Sequence, residues 1–304
     1  MWNAEGVVSV LRRRGELLEP VPGVAGLRGG ALALFEALDT RVADLCRRLA
    51  AEPWRPPAAL AWGTLEDADY FASFPQWLTA ASHLGDDEGA LETVAASEHP
   101  AAAARGRFQP AAAALPPAVC YHVFEALRGA RLERPRRVTA QCTCWRHEGS
   151  ATRALERGWS FTMREVVALG DAGGIAAFRT EGEAAALRLA AGLGLEARLE
   201  EAADPFFRPT ARGKALVQQL KGLKREVTLP VGGGRRTAAA SSNLHETFFG
   251  HAFGIRDGAG APVSSGCLAF GLERWLLAFM VAHGPDAGGW PIRVAPRARQ
   301  EAGT

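Results

Sequence analysis

Cys144-Trp145-Arg146-His147-Glu148-Gly149-Ser150 and, far downstream, Gly266-Cys267-Leu268-Ala269-Phe270-Gly271-Leu272-Glu273-Arg274 are the stretches from which the fold can be read. In the first, Arg146 and Glu148 stand two apart at the end of an extended run, and side chains two apart on a strand share a face. They offer a planar, permanently charged fork for phosphate beside a carboxylate acceptor. Taken alone, an R-x-E pair is more often a cross-strand surface ion pair. In the second, a glycine-punctuated strand delivers Arg274 into the first turn of an apolar helix. Alone, such an arginine is more often structural.

Working outward, Val138–Trp145 alternates as a strand, Gly149–Arg157 is a polar loop, and Trp159–Met163 returns antiparallel. Val227–Pro230 and Ala238–Leu244 read as further strands, and Leu268–Phe279 starts as strand and turns into helix near Gly271. Residues 31–50 place Leu34, Leu38, Val42, Leu45 and Leu49 on one face of a long helix, which Pro53, Pro56 and Pro57 should end before an extended segment through Trp62. Residues 181–198 predict a second amphipathic helix, and Cys120, Tyr121, Phe124 and Leu127 a buried helix face. The Ala- and Pro-rich stretch 92–117 reads as a surface connection with some helix. Strands and helices in this mixture predict an α+β fold, a mostly antiparallel sheet flanked by helices.

The chain has 304 residues, 48% of them hydrophobic and 22% charged, enough for one large domain or two small ones. Its formal net charge of +2, from 35 Lys and Arg against 33 Asp and Glu, argues against a dedicated nucleic-acid binder. Five widely spaced cysteines suit a reducing compartment, with metal or catalytic use ahead of disulfides. No apolar run approaches the roughly 18 residues of a membrane span, and Met1-Trp2-Asn3-Ala4-Glu5 does not open a signal peptide. The expectation is a cytoplasmic protein without a membrane partner.

Together the two opening stretches resemble motifs 2 and 3 of class II aminoacyl-tRNA synthetases, with motif 1 at about 31–62, motif 2 at about 138–168 and motif 3 at about 264–280. The seryl-tRNA synthetase core is similar in its F-R-x-E, followed by a polar loop and R-x-x-x-F-x-x-x-E, matched here by Arg157, Phe161 and Glu165. Ser241-Ser242-Asn243 is similar to its S-S-x-S-N region. The match runs from about residue 30 to 292, and the roughly 30 residues before the motif 1 helix are too few for a tRNA-binding arm. That implies a single catalytic domain over 1–304 and makes tRNA an unfavoured partner. Truncated homologues, the amino acid:[carrier protein] ligases, resemble the chain in several further phrases. These are Phe71-Ala-Ser-Phe74-Pro75, Cys120-Tyr121, Phe161-Thr-Met-Arg-Glu165-Val, Asp204-Pro-Phe-Phe207, Asn243-Leu-His245 and Phe249-Gly250.

The resemblance implies roles. A small amino acid, glycine or alanine, is activated by ATP as an aminoacyl-adenylate and passed to the phosphopantetheine thiol of a small acidic carrier protein. Arg146 would grip the α-phosphate, Arg157 the β/γ end, and Arg274 the adenine ring and γ-phosphate. Phe161 would stack on adenine, Glu148 would read its edge, and Mg2+ would accompany the phosphates. Glu226 and Asn243 would lie near the amino acid, Glu226 with a possible share in metal binding. Cys120, Glu165 and Cys267 match an active-site zinc set; two thiolates and a carboxylate leave a fourth tetrahedral position open, as in catalytic sites. Without the resemblance these are three unrelated residues, since no local C-x-x-C exists. The motif 1 helix would sit at a homodimer interface.

Other features have plainer readings. Cys142 and Cys144 can face one way on a strand, but core packing is expected of them, and of Cys46. His245 and His251 fall near the substrate side, His147 should face away from its neighbours, and no histidine is assigned as a general base. Arg128, Arg131, Arg134, Arg136 and Arg137 either dock an acidic carrier or form a solvated connection. Three departures from the family pattern stand out. Trp145 replaces Phe, Ala238–Ala240 stands where seryl enzymes place a metal-binding Glu, and Arg208–Lys214 is unusually basic. Two other readings of the chain are a synthetase-like enzyme acting on tRNA and a non-catalytic nucleotide-binding paralogue.

Overall fold

The computed structural model describes residues 2–294, with the backbone alone for 208–212. Most of the basic Arg208–Lys214 stretch and the basic end after Val294 therefore lie outside the described side chains. Among the described residues the main sheet has nine strands: β1 (Leu17–Val21), β2 (Val24–Leu27), β3 (Glu52–Trp54), β4 (Arg136–Trp145), β5 (Ser160–Gly170), β6 (Arg198–Glu201), β7 (Lys224–Gly232), β8 (Arg235–Glu246) and β9 (Ser264–Gly271). Their order is β3-β4-β5-β9-β8-β7-β6, with β2 joined to the start of β5 and β1 to β2. Pairing is antiparallel except at β3–β4 and β2–β5, which bears out the expected α+β arrangement.

The helices that matter to the site are α1 (Ala4–Arg13), α2 (Gly29–Arg48), α3 (Cys120–Ala126), α4 (Ala172–Gly192), α5 (Arg208–Leu220) and α6 (Leu272–His283). On α2 the apolar stripe Leu34, Leu38, Val42 and Leu45 is buried, with Cys46 beside it. This helix stops at Arg48, before the prolines, because Ala50 takes a left-handed φ of 56°. The chain is already turned into β3 when Pro53 arrives, so the prolines shape the segment after the helix and do not end it. The second predicted helix begins nine residues earlier than residue 181. Asp171 caps the first turn by accepting from the Gly174 amide at 2.9 Å. It ends at Gly192 because Gly194 adopts a φ of +68°, so residues 195–198 are not helical.

Helix α6 is apolar nearly all round and accordingly buried: Leu272, Trp275, Leu276, Leu277, Phe279 and Met280 are enclosed. With α2 and α4 it covers one face of the sheet, where Val166, Ala168, Leu268, Phe270, Val227 and Ala240 join the main core. The opposite face is the functional one. Register sets Glu226, Ser241, Ala269, Glu165 and Ala140 in one row across five strands. Lys224, Asn243, Cys267, Val167 and Val138 form the next. The small side chains in the first row leave open volume over the sheet. Among the described residues no helix is long and apolar enough to cross a membrane.

Leu34 is fully enclosed in the contact of α2 with the sheet and α6. Leu34→Ala should lower unfolding free energy by about 2–5 kcal/mol, read as a reduced denaturant midpoint at unchanged slope.

Candidate active site

Arg146 follows the last residue of β4, its amide donating to the Trp159 carbonyl at 2.8 Å. Strand geometry ends at Trp145, so Arg146 and Glu148 do not converge by strand alternation as expected; the turn after β4 brings them to the same pocket. The Arg146 guanidinium lies between the rings of Trp77, at 5.0 Å, and Phe161, at 5.3 Å, and donates to the Pro117 carbonyl at 2.9 Å. Arg157, from the loop before β5, donates to Glu148 at 2.6 Å. Arg274, in the first turn of α6, donates to the carbonyls of Glu156 and Ala238, both at 2.7 Å.

These three cations share one pocket, and the Arg274 guanidinium is held below its ordinary pKa by burial and then by the nearby Arg146 and Arg157. Like charges at such density favour an anion between them. Phe161, Glu148, Glu226 and the Ala238–Ala240 backbone complete the walls. The cavity has a volume of only about 90 Å³, because Arg157 folds onto Glu148 and Arg274 onto its two carbonyls. An incoming polyanion would compete for those donors.

Glu273 belongs to this pocket, though sequence reading assigned it nothing. Both its oxygens accept from the Thr162 amide, at 2.8 and 2.9 Å, pinning the backbone beside Phe161 to the start of α6. Its only sequence signal is that it precedes Arg274.

Cys120, Glu165 and Cys267 come from α3, β5 and β9 and meet on the open face of the sheet. Glu165 Oε2 accepts from the Cys120 amide at 2.9 Å, and Cys267 lies diagonally across the β5–β9 pairing from Glu165. Cys267 Sγ takes Asn243 Nδ2 at 3.4 Å and lies 3.6 Å from His245 Nε2. Burial raises the pKa of all three acids, and Glu165 pushes both thiols up further. Asn243 Oδ1 is buried without a hydrogen-bond partner. Among the described residues no group of three or more His, Cys, Asp or Glu stands in metal-ligand geometry. The donor chemistry itself, two thiols and a carboxylate crowded away from water, suits a thiophilic divalent cation.

These acids and Asn243 line a larger cavity of about 670 Å³ that shares Arg146, Met163, Ser241 and Ala269 with the cationic pocket. The two cavities therefore adjoin. Tyr70, Phe74, Trp77, Phe206 and Phe249 supply aromatic walls to the larger one. At the junction Lys224 Nζ bridges Asp204 Oδ1, at 2.5 Å, and Glu226 Oε1, at 3.0 Å. Burial opposes the charge on Lys224, but the two carboxylates outweigh it and hold the amine protonated. Asp204 is fixed in turn by Gln218 Nε2 at 2.8 Å. Sequence reading quoted the Asp204–Phe207 phrase without giving Asp204 or Lys224 a role.

The remaining candidates separate. His245 lines the larger cavity, and burial lowers its pKa to about 4, so it is neutral at physiological pH. His251 sits in a short helix outside that lining, and His147 packs against Trp159 at 5.6 Å. Four of the five clustered arginines are matched to carboxylates: Arg128 to Asp67 and Glu125, Arg131 to Glu133, Arg136 to Glu52, Arg137 to Glu181. The cluster is a paired surface, not a free basic patch.

Burial moves Glu273 from its ordinary 4.5 to about 7. The raised group stabilises the fold fully below pH 4.5, and that contribution is lost as pH rises through 7. The stability difference between wild type and Glu273→Gln should therefore fall by on the order of 1–3 kcal/mol between pH 4.5 and 7.5 and be flat outside that window, measured by urea unfolding.

No family model matches the chain. It is 33% identical over 268 residues to amino acid–[acyl-carrier-protein] ligase 1 of Bradyrhizobium diazoefficiens, covering 86% of this chain and 82% of that protein. To ligase 2 of the same organism it is 34% identical over 279 residues, covering 90% and 82%. The M. kandleri SerRS crystallised with A. aeolicus tRNASec superposes with a TM-score of 0.82 at 22% identity, over 94% of this chain and 58% of that one, which establishes the class II synthetase fold. With identity of that level sustained over four-fifths of the two Bradyrhizobium enzymes, the chain belongs to the amino acid–[acyl-carrier-protein] ligase family.

Proposed function

We propose that this protein activates a small α-amino acid, glycine or alanine, with ATP and transfers it to the phosphopantetheine thiol of a carrier protein. The observation that carries this reading is the adjacency of the two cavities. A pocket with three guanidinium groups adjoins, at Arg146 and Ser241, a cavity lined by Cys120, Glu165 and Cys267. The names of the two Bradyrhizobium relatives, ligases joining an amino acid to acyl-carrier protein, support the same assignment.

In the first step an amino-acid carboxylate oxygen bonds to the α-phosphorus of ATP, and the bond to the bridging oxygen breaks to release pyrophosphate. The carboxylate is already ionised, so no base is needed; the work is alignment and neutralisation of phosphate charge. Arg146 stands at the junction of the cavities and is assigned to the α-phosphate. Arg157 and Arg274 exchange their present partners for the outer phosphates, with Mg2+ accompanying them, and Phe161 stacks on the base. Glu148, released from Arg157, is free to accept from the adenine amine, and Glu226 and Asn243 face the amino acid. In the second step the acceptor thiol gives up its proton to solvent, its sulfur bonds to the acyl carbon, the acyl–oxygen bond breaks, and AMP leaves.

Zinc belongs to this proposal. Cys120, Glu165 and Cys267 would hold it, and the ion would supply an open position for the substrate's amino group, selecting an α-amino acid. Homodimerisation does too: β3 is an edge strand with no neighbour on its outer side among the described residues, the kind of edge that a second copy can cover.

The carrier's dock is assigned to α5, since the Arg128–Arg137 cluster is already paired. Val217 and Gln218 line the larger cavity, while Leu216 and Leu220, one turn apart, are 57% and 77% exposed. An apolar stripe beside the cavity mouth places a carrier where its prosthetic arm can enter.

Amino-acid-dependent ATP–pyrophosphate exchange tests the first step. Arg146→Ala and Arg274→Ala should each reduce it by about 10²–10³-fold, and exchange with no amino acid by folded protein would overturn the reading. Zinc content measured by elemental analysis should be near one per chain and lost in Cys267→Ser, with exchange lost on chelation. Leu220→Asp should leave exchange intact while raising the carrier concentration needed for thioester formation, followed by intact mass of the carrier.

A further inference from the structure

Cys142 and Cys144 occupy the open face of β4, opposite Met163 and Phe161 respectively. Their sulfurs are 3.7 Å apart. The two differ in access: Cys144 is fully buried against Val119, Ala140, Met163 and Ala269, whereas Cys142 is partly exposed. His122 of α3 lies against Cys142, and its Nε2 is buried without a partner. Neither cysteine has a part in the activity proposed above.

We propose that Cys142 and Cys144 form a peroxide-reactive dithiol whose oxidation displaces Arg146. Cys142 is the attacking sulfur because it is the one that solvent reaches. Its thiolate bonds to one peroxide oxygen, the O–O bond breaks, and hydroxide leaves, giving a sulfenic acid at Cys142. The Cys144 thiol then bonds to that sulfur, the S–O bond breaks, and the thiol proton leaves with the oxygen as water. In sum two thiols and one hydrogen peroxide give a disulfide and two waters; the sulfurs lose two electrons and the peroxide gains them.

Acidity runs the same way. The hydrogen bond with Cys144, and then His122, holds the Cys142 thiol below the usual range, while burial raises Cys144 and Cys46. Reactivity toward peroxide follows thiolate character and exposure together.

Geometry supplies the consequence. Alternate residues of a strand have Cα atoms about 6.7 Å apart, and disulfides favour roughly 5.5–6 Å. The sulfurs must close from 3.7 Å to a bond of about 2.05 Å, so β4 has to buckle between its two cysteines. Arg146 is the second residue beyond Cys144, held by the Trp159 carbonyl at 2.8 Å and by the rings of Trp77 and Phe161. A bend at residues 142–144 is transmitted to that guanidinium at once.

The dithiol chemistry stands without the ligase reading, whereas its effect on activity rests on it, so the two are measured separately. Zinc-loaded wild type, Cys142→Ser and Cys144→Ser are treated with limiting hydrogen peroxide and mapped by differential alkylation and peptide mass. Wild type should show a 142–144 disulfide reversed by dithiothreitol, and Cys144→Ser a dimedone-trapped sulfenate at residue 142. Oxidation found first at Cys120 or Cys267, or Cys142 left as free thiol, would overturn the site. In the exchange assay peroxide should cut wild-type activity by roughly 10²-fold, reversibly, and spare Cys142→Ser. A disulfide formed without loss of exchange, or equal loss in Cys142→Ser, would overturn the coupling to Arg146. Protein inactive before oxidation would count against the ligase reading, while the mapping would still decide the dithiol.

Discussion

Alternation along β5 is the constraint on which the rest of the molecule depends. Phe161, Met163 and Glu165 face the open side of the sheet, and Arg164, between them, faces the helices. There Asp39 of α2 accepts from Arg164 Nε and Nη2 at 2.7 and 2.8 Å, a bidentate pair that fixes the plane of the guanidinium. Glu273 of α6 holds the Thr162 amide with both oxygens. Two helices thus grip the strand between the residues that work on the other side. A slip of one residue would exchange every working side chain for a packing one.

The register of the neighbours extends this order outward. Ala140, Ala269 and Ser241 stand level with Glu165, so from β4 to β8 the row that carries the buried carboxylate is otherwise built of small residues. Bulk is instead supplied from above by aromatic side chains of the loops, including Tyr70, Phe74 and Trp77. A flat, small-residue floor under aromatic walls gives a cavity whose depth the sheet sets and whose shape the loops set. This is the common division of labour between scaffold and loop.

The two ends of the same face carry different ionisable groups. The cationic end has three guanidinium groups, one of them between aromatic rings and without a carboxylate partner within ion-pair distance among the described residues. The acidic end has two thiols and a carboxyl group, and burial raises the pKa of all three. Between them the Asp204–Lys224–Glu226 triplet is internally satisfied.

Much of this was legible from the chain alone, because it is local. Period-two alternation gave β4 and β5, a glycine-marked strand gave the entry of Arg274, and the stripe from Leu34 to Leu45 gave α2. Arg146, Phe161, Cys120, Glu165 and Cys267 stand out in the sequence through their joint order, and the structure gathers them around the two adjoining cavities. Other features were not legible, because they depend on contacts between residues far apart in sequence. Asp204 meets Lys224 across a helix, three arginines of the Arg128–Arg137 cluster pair with the distant carboxylates Asp67, Glu52 and Glu181, and Glu273 reaches back to Thr162. Helix α4 starts ahead of its expected position because Asp171 caps a turn that lies outside the amphipathic stretch. Sequence by itself determined which elements form and which chemical groups the chain carries. The tertiary structure alone decided which groups meet, since strand register and helix packing bring together residues whose separation along the chain holds no record of their distance.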